Sequence, residues 1–381
     1  MQRVLLIMTS TALLFLGLAT CGPQLKRPEI SRALLESEKE RQKEFSLNLF
    51  MQRYEQLIRV GTALQIKGVE LCGESVEPVV GALLLERKAF PDDLQETASR
   101  VFGLNQGLHV RYVVPGLPAA TAGLKQGDEV TMIGDTSLGS PAESTNESKF
   151  DKAKTLLKQY GTTPVKLEVR RDGKSLPLTM TPNLGCRFPI SLVQNDNVNA
   201  FADGEKVGIT TGMVRFVADD DELAIVLSHE LAHNALGHVN KQIGNQLIGG
   251  ILGLILDIGI AAAGVNSQGV FTRLGTQTGA AVYSQDFESE ADYLGLYFAA
   301  RAGFDILKAP DFFRRMGAEH PASKKETFLA SHPSFPERSA GYQKYISEIQ
   351  EKIKAELPLL PAKIERQETT QTDETGINVS D

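Results

Sequence analysis

The chain has 381 residues, enough for two ordinary domains plus ends. Its apolar fraction of 42% suits a globular protein, and it contains no Trp. A formal net charge of −7, with no local basic cluster, argues against a protein that binds nucleic acid through a basic face.

Residues 1–20 read as a lipoprotein signal peptide. Arg3 precedes an apolar run from Val4 to Leu18, too short for a comfortable membrane span. The run ends in "LATC", Leu18 to Cys21, which resembles a bacterial lipobox with Cys21 as the lipid-carrying N-terminus. An ordinary signal peptide cleaved nearby is the alternative. Gly22 is similar to the residue that follows the cysteine in lipoproteins sent to the outer membrane. The expected location is therefore the cell envelope, with a lipid anchor in a bacterial membrane. The periplasmic face of the outer membrane is favoured. With Cys21 lipidated, Cys72 and Cys186 remain. An exported chain meets an oxidising compartment, so an even remainder predicts one disulfide. Two unrelated buried thiols are the alternative.

Residues 21–30 form a short tether, and residues 31–75 an N-terminal helical segment. Ser31 suits an N-cap, and Glu and Lys interleave along a solvated face. Leu47, Phe50, Tyr54 and Leu57 give one apolar stripe at helical spacing, which reads as a packing surface.

Residues 76–184 change texture. "GLHVRYVV" alternates like a strand, and "PGLPAATAGLKQGDEVTMIGDTSL" reads as a turn, a short helix and another strand. "SKFDKAKTLLKQYG" is an amphipathic helix, and "VKLEVRRDGKSLPLTM" a hairpin around Asp172-Gly173. The succession resembles a PDZ domain of the bacterial protease type. Pro118-Ala119, Ala122-Gly123-Leu124, Gly127-Asp128, Val130 and Ile133 carry that resemblance. It implies a carboxylate-binding loop at Val80, Gly81, Ala82 and Leu83, beside a strand edge that pairs with the C-terminal peptide of a partner. A structural insert without ligand is the alternative. Cys72 and Cys186 flank this segment, so their bridge would staple its base to the rest of the chain.

Residues 185–355 form the second domain. "NAFADGEKVGITTGMVRFV" reads as a hairpin turning at Asp203-Gly204, and "DDDELAIVLSHELAHNALGH" as a helix with acidic residues at its positive end. His229 and His233 are four residues apart, which on a helix places them about 40° from each other on one face. Glu230 sits beside them, offset by about 100°, where it can act as a base without ligating. This is the HExxH arrangement of zinc peptidases. His238 falls nine residues after His229, a poor position for a third ligand if the helix continues, and reads as structural. Glu288 and Asp292, again four apart, supply a better one. Glu288 completes a set of three protein ligands, and Asp292 accepts from a ligating imidazole and fixes its tautomer.

Three blocks in order, "DELAIVLSHELAHNALGH", "FESEADYLGLYFAARAGFD" and "SHPSFPERSAGY", together with "NAFA", resemble one family of zinc metallopeptidases. These are the gluzincins, HExxH plus ExxxD, of the CAAX prenyl protease, HtpX, BepA and the Oma-type proteases. The resemblance implies one Zn²⁺ per chain on His229, His233 and Glu288, with Glu230 as the base and Asp292 behind the ligands. It places His332 and Arg338 at the cleft. His332 either stabilises an oxyanion or binds the metal in a closed, resting state; a helix-capping residue is the bland alternative. Asn199, Ala200 and Phe201 would pair with the substrate backbone. The expected fold class is α+β: a mainly α-helical gluzincin domain with a small β-hairpin or edge sheet, plus a PDZ-like β-rich domain. The expected activity is hydrolysis of peptide bonds in misfolded or unassembled envelope proteins. A chaperone or adaptor that binds clients through the PDZ-like groove above a latent site is the competing expectation. Ile243 to Val265 reads as a lid or membrane-touching loop rather than a span, because Asp257 and frequent Gly interrupt it. Residues 356–381 read as a disordered polar tail.

Overall fold

A computed structural model describes residues 25, 27–139, 148–241, 285–320, 332 and 336–362. The expected signal peptide, Cys21 and the segment Ile243–Val265 lie outside the described residues. By its contacts the chain divides into two units, Met1–Ser46 and Leu47–Asp381.

Helix α1 (Arg32–Lys67) belongs to both. In the first unit Ser31 Oγ accepts from Leu34 N at 3.2 Å, the expected N-cap. Lys39–Glu36 and Lys43–Glu40 pairs line this exposed stretch. In the second unit, Leu57, Val60 and Leu64 are fully buried in the helical core. The sequence reads Leu47, Phe50, Tyr54 and Leu57 as a packing stripe, and the end of the helix supplies core to the domain that follows.

Strands β1 (Val76–Val79) and β2 (Ala82–Leu85) come next, then helix α2 (Asp92–Phe102) and β3 (Leu108–Val113). Short helix α3 (Pro118–Thr121), β4 (Glu129–Ile133), β5 (Thr136–Ser137) and helix α4 (Lys149–Tyr160) follow. Then come β6 (Val165–Arg171), β7 (Lys174–Met180) and β8 (Asn183–Cys186). One antiparallel sheet runs β2-β3-β4-β6-β7, with β5 on β4, so β2 and β7 are its edges. The β6–β7 hairpin turns at Asp172 and Gly173, both at positive φ, as an Asp-Gly turn requires. Alternation sends Val165, Leu167 and Val169 into one core with Leu108, Val110, Val130 and Ile133. The other face of β2, through Leu83 and Leu85, packs with Leu47, Met51, Phe90 and Ala98.

Cys72 and Cys186 form the expected disulfide, with Cα atoms 5.7 Å apart. Beside it β1 and β8 pair antiparallel, so the two ends of the sheet segment meet at one place.

The last part holds β9 (Ile190–Val193), β10 (Ala200–Ala202) and β11 (Val207–Thr210), then helices α5 (Thr211–Phe216) and α6 (Asp220–Ala235). Helices α7 (Gln285–Arg301), α8 (Ala309–Glu319) and α9 (Pro336–Lys354) complete the described elements. The small sheet has order β10-β11-β9, with β10 antiparallel and β9 parallel to β11. The fold is thus mixed helix and sheet.

The sequence reads the chain from Glu356 as disordered, whereas through Ala362 it is docked. Arg301 donates to Leu359 O at 3.1 Å, Lys352 Nζ to Leu360 O at 2.7 Å, and Ala362 N to Tyr293 OH at 3.3 Å. Polar composition misleads here because Arg301 and Lys352 hold backbone carbonyls of the stretch, while Leu359 packs against the core.

Candidate metal centre

Helix α6 begins on Asp219, whose side chain accepts from Asp221 N and Glu222 N. Three acidic residues then occupy its first turn, where the helix dipole favours them. The helix is buried from Glu222 to Asn234, so its polar residues must find partners inside the protein. Helix α7 packs directly on it. Gly295 permits that approach: a Cβ there would lie 3.1 Å from His229 N.

This packing brings the expected ligands together. One donor atom each from His229, His233, Glu288 and His332 lies within 4.8 Å of the others, and all four residues are buried. His229 Nε2 and His233 Nε2 are 3.1 Å apart, and they stand 3.5 and 3.3 Å from the Glu288 carboxylate. His332 Nδ1 is 3.2 Å from His229 Nε2 and 2.9 Å from Glu288 Oε1. Two ligands on one tetrahedral Zn²⁺ at the usual bond lengths are separated by about 3.4 Å, so this donor set fits the ion. The charges fit as well. Glu230, Glu288 and Asp292 are almost wholly buried against one buried guanidinium, Arg338, which leaves an excess of negative charge for a divalent cation.

Glu230 is placed differently from the ligands. It is 0% exposed, and neither carboxylate oxygen has a hydrogen-bond partner among the described residues. His332 Nε2 lies 3.4 Å from Oε1. Burial raises its pKa above the ordinary carboxylate value. Such a group is costly to hold and suited to taking a proton.

Asp292 lies behind His229, with Oδ1 3.0 Å from Nδ1. Arg338 grips Asp292 through two 2.7 Å hydrogen bonds and reaches Glu288 Oε2 at 2.8 Å. Tyr342 OH also donates to Asp292 Oδ1, at 2.5 Å. Burial pushes the Asp292 pKa up, but the charge of Arg338 and hydrogen bonds from Arg338 and His229 outweigh it, and the net shift is downward. Burial opposes protonation of His229, yet its contacts with Asp292 and Glu288 raise it to about 9. His233 goes the other way: burial dominates and holds it well below the ordinary value.

Asn199, Ala200 and Phe201 lie at β10, the outer strand of the small sheet, which packs against α6. Asn199 O accepts from Thr210 N and Asp203 N donates to Lys206 O, so by alternation Ala200 and Ala202 turn their N–H and C=O groups to the edge that no described strand covers. The loop Val80, Gly81, Ala82 and Leu83 lies at the start of edge strand β2. There Val80 O accepts from Ala119 N, and Gly81 O accepts from Val114 N. Val80 and Ala82, like Leu156, Leu157 and Tyr160 of α4, pack against the core of the sheet.

The sequence did not assign a partner to His238. Helix α6 stops at Ala235, and Gly237, at φ +66°, turns the chain so that the His238 ring faces back to His233. Glu290, two residues past Glu288, joins the same group from the other side.

Residues 175–346 match the profile of peptidase family M48. The chain is 33% identical over 155 residues to a putative beta-barrel assembly-enhancing protease of Vibrio cholerae, covering 38% of this chain and 32% of that protein. It is 32% identical over 157 residues to the mitochondrial metalloendopeptidase OMA1 of Arabidopsis thaliana, covering 41% and 31%. These matches therefore span about a third of the relatives' own length. Among solved structures, an HtrA-type protease AlgW with decapeptide aligns at 19% identity and TM-score 0.22, over 29% of this chain and 30% of that one, a likeness too slight to carry an argument. Over residues 175–346 the chain is thus similar to peptidase family M48, and within that span His229, His233, Glu288 and His332 form a buried donor set that fits the zinc such metallopeptidases use.

Proposed function

We propose that the chain is a zinc metalloendopeptidase of the cell envelope that hydrolyses peptide bonds in misfolded or unassembled envelope proteins. One observation carries the reading: a buried carboxylate without a hydrogen-bond partner among the described residues, Glu230, stands beside a buried ligand set of two imidazoles and a carboxylate. Relatives named for beta-barrel assembly support the envelope and the substrate class. Cys21 would carry the lipid anchor, on the periplasmic face of the outer membrane.

His229, His233 and Glu288 hold the ion in this reading. Bound there, zinc supplies Lewis acidity, which polarises a carbonyl and brings the pKa of water toward about 7. Glu230 accepts the proton of the attacking water on a carboxylate oxygen and returns it to the leaving amine. Arg338, fixed on Asp292, keeps that aspartate ionised and aimed at His229. The open edge of β10 pairs with an extended substrate segment, which an unfolded protein offers more readily than a folded one. The edge of β2 and the loop Val80–Leu83 would serve a C-terminal peptide in the same way, in a PDZ-like domain.

A specific observation favours a second reading, a chaperone or adaptor with a latent site. His332 Nδ1 stands where a fourth ligand would, and structural zinc sites are closed with four protein ligands. Cleavage of a reduced, unfolded protein by wild type and His332→Ala separates the two. The peptidase reading expects chelator-sensitive cleavage, faster in His332→Ala if the histidine closes the site and slower if it stabilises an oxyanion. No cleavage by either protein, with zinc bound, favours the adaptor.

A further inference from the structure

The two histidines of the HExxH segment are oriented by different means. His229 Nδ1 meets a carboxylate directly, Asp292 at 3.0 Å. His233 Nδ1 meets another imidazole, with His238 Nδ1 3.0 Å away. The far nitrogen of that ring, His238 Nε2, lies 3.1 Å from Glu290 Oε2. His238 is itself 0% exposed and stacked on Phe287, with centroids 4.3 Å apart and planes at 11°, so its ring is held in one orientation.

Proton placement follows from these contacts. Two nitrogens in hydrogen-bond contact share one proton, and an ionised carboxylate can only accept. His233 Nε2 faces Glu288 and His229, so a lone pair is useful there and the ring proton belongs on Nδ1. Nδ1 then donates, and His238 must accept with an unprotonated Nδ1. The proton of His238 is consequently on Nε2, where Glu290 accepts it. Were the proton on His238 Nδ1, His233 would have to accept it, and its Nε2 would carry a hydrogen into the ligand cluster.

We propose that Glu290 and His238 are positioning residues for the metal: Glu290 fixes the tautomer of His238, and His238 fixes the tautomer of His233, leaving His233 Nε2 as a lone-pair donor. This rests on the metal site of the proposed peptidase and adds to it a control point near the surface, since the Glu290 side chain is 47% exposed.

The test is zinc affinity, measured by chelator competition on the full chain, with thermal unfolding as the check on folding. His238→Leu is expected to weaken zinc binding by about 10- to 100-fold, as loss of a group orienting a ligand does. His238→Asn, whose side-chain oxygen can accept from His233 Nδ1, should stay within about threefold of wild type. Glu290→Leu should weaken binding by less than His238→Leu, and Glu290→Gln less again. Long-range nitrogen–proton NMR spectra should place the ring protons on His233 Nδ1 and His238 Nε2. A merely structural role would move neither the tautomer nor the gap between Asn and Leu at position 238. Zinc binding by folded His238→Leu equal to wild type, or a proton on His238 Nδ1, overturns the inference alone. A well-folded wild type that binds no zinc overturns the metal site and the inference with it. If His238→Leu fails to fold, Glu290→Leu decides: unchanged zinc affinity there is contrary to the proposal.

Discussion

The sheet segment and the ligand cluster handle charge in opposite ways. In the sheet, apolar side chains fill the core and charged pairs sit toward the surface: Glu129 meets an exposed Arg170, and Asp128, though buried, meets a partly exposed Arg171. In the cluster three carboxylates, three imidazoles and a guanidinium are gathered where water is excluded. Hydrophobic packing stabilises the first. The second is held by that packing against its own electrostatics, and a bound cation would relieve it. Apolar packing and metal chemistry therefore concentrate in different parts of one compact unit, and zinc affinity rather than stability should separate substitutions in the two.

Arg338→Met should have the largest effect on stability. It leaves Asp292 buried without its cation, at a cost of about 3–5 kcal/mol, and it should weaken zinc binding as well. The pH dependence follows from the sign of the shift. Asp292 is held below its unfolded value, so its contribution is present above the ordinary carboxylate range and lost as pH falls through the lower, folded value. Without Arg338 burial has less opposition, and acid unfolding should begin at higher pH. Chemical unfolding across pH, for both proteins, checks this. Leu108→Ala, in the sheet core, should cost about 2–4 kcal/mol by the same assay but leave zinc affinity unchanged. If it weakens zinc binding as Arg338→Met does, the two regions are not separable. Ala202→Pro should be the mildest. It removes one outward N–H at the edge of β10, worth about 1 kcal/mol, so kcat/KM for an unfolded substrate should fall by about fivefold with zinc and stability near wild type.

The cluster was largely legible in the sequence because its spacing is helical. His229 and His233 on α6, and Glu288 and Asp292 on α7, need only the repeat of one helix each to share a face. The hairpins at Asp172-Gly173 and Asp203-Gly204 were legible through turn chemistry, and Ser31 through capping. Strand β9 was missed. "ISLV" is four residues with no decisive alternation, and its parallel pairing with β11 depends on a crossover that no local pattern encodes. The spacing reads His238 as structural, off the ligand face of a continuing helix, and does not disclose a partner for it. Extending α6 past Ala235 sends it the wrong way, and only the turn at Gly237 aims it at His233. The docked stretch from Leu357 to Ala362 was missed because Arg301 and Lys352 recognise its carbonyls, which composition does not report.

The most direct test compares wild type with Glu230→Gln, each assayed for bound zinc and for cleavage of an unfolded protein. A residue that moves the proton without holding the metal predicts similar zinc in both, with cleavage lost by at least about 100-fold in the variant. Equal cleavage by the two proteins would contradict the role of Glu230, and folded protein without zinc in either would contradict the site itself.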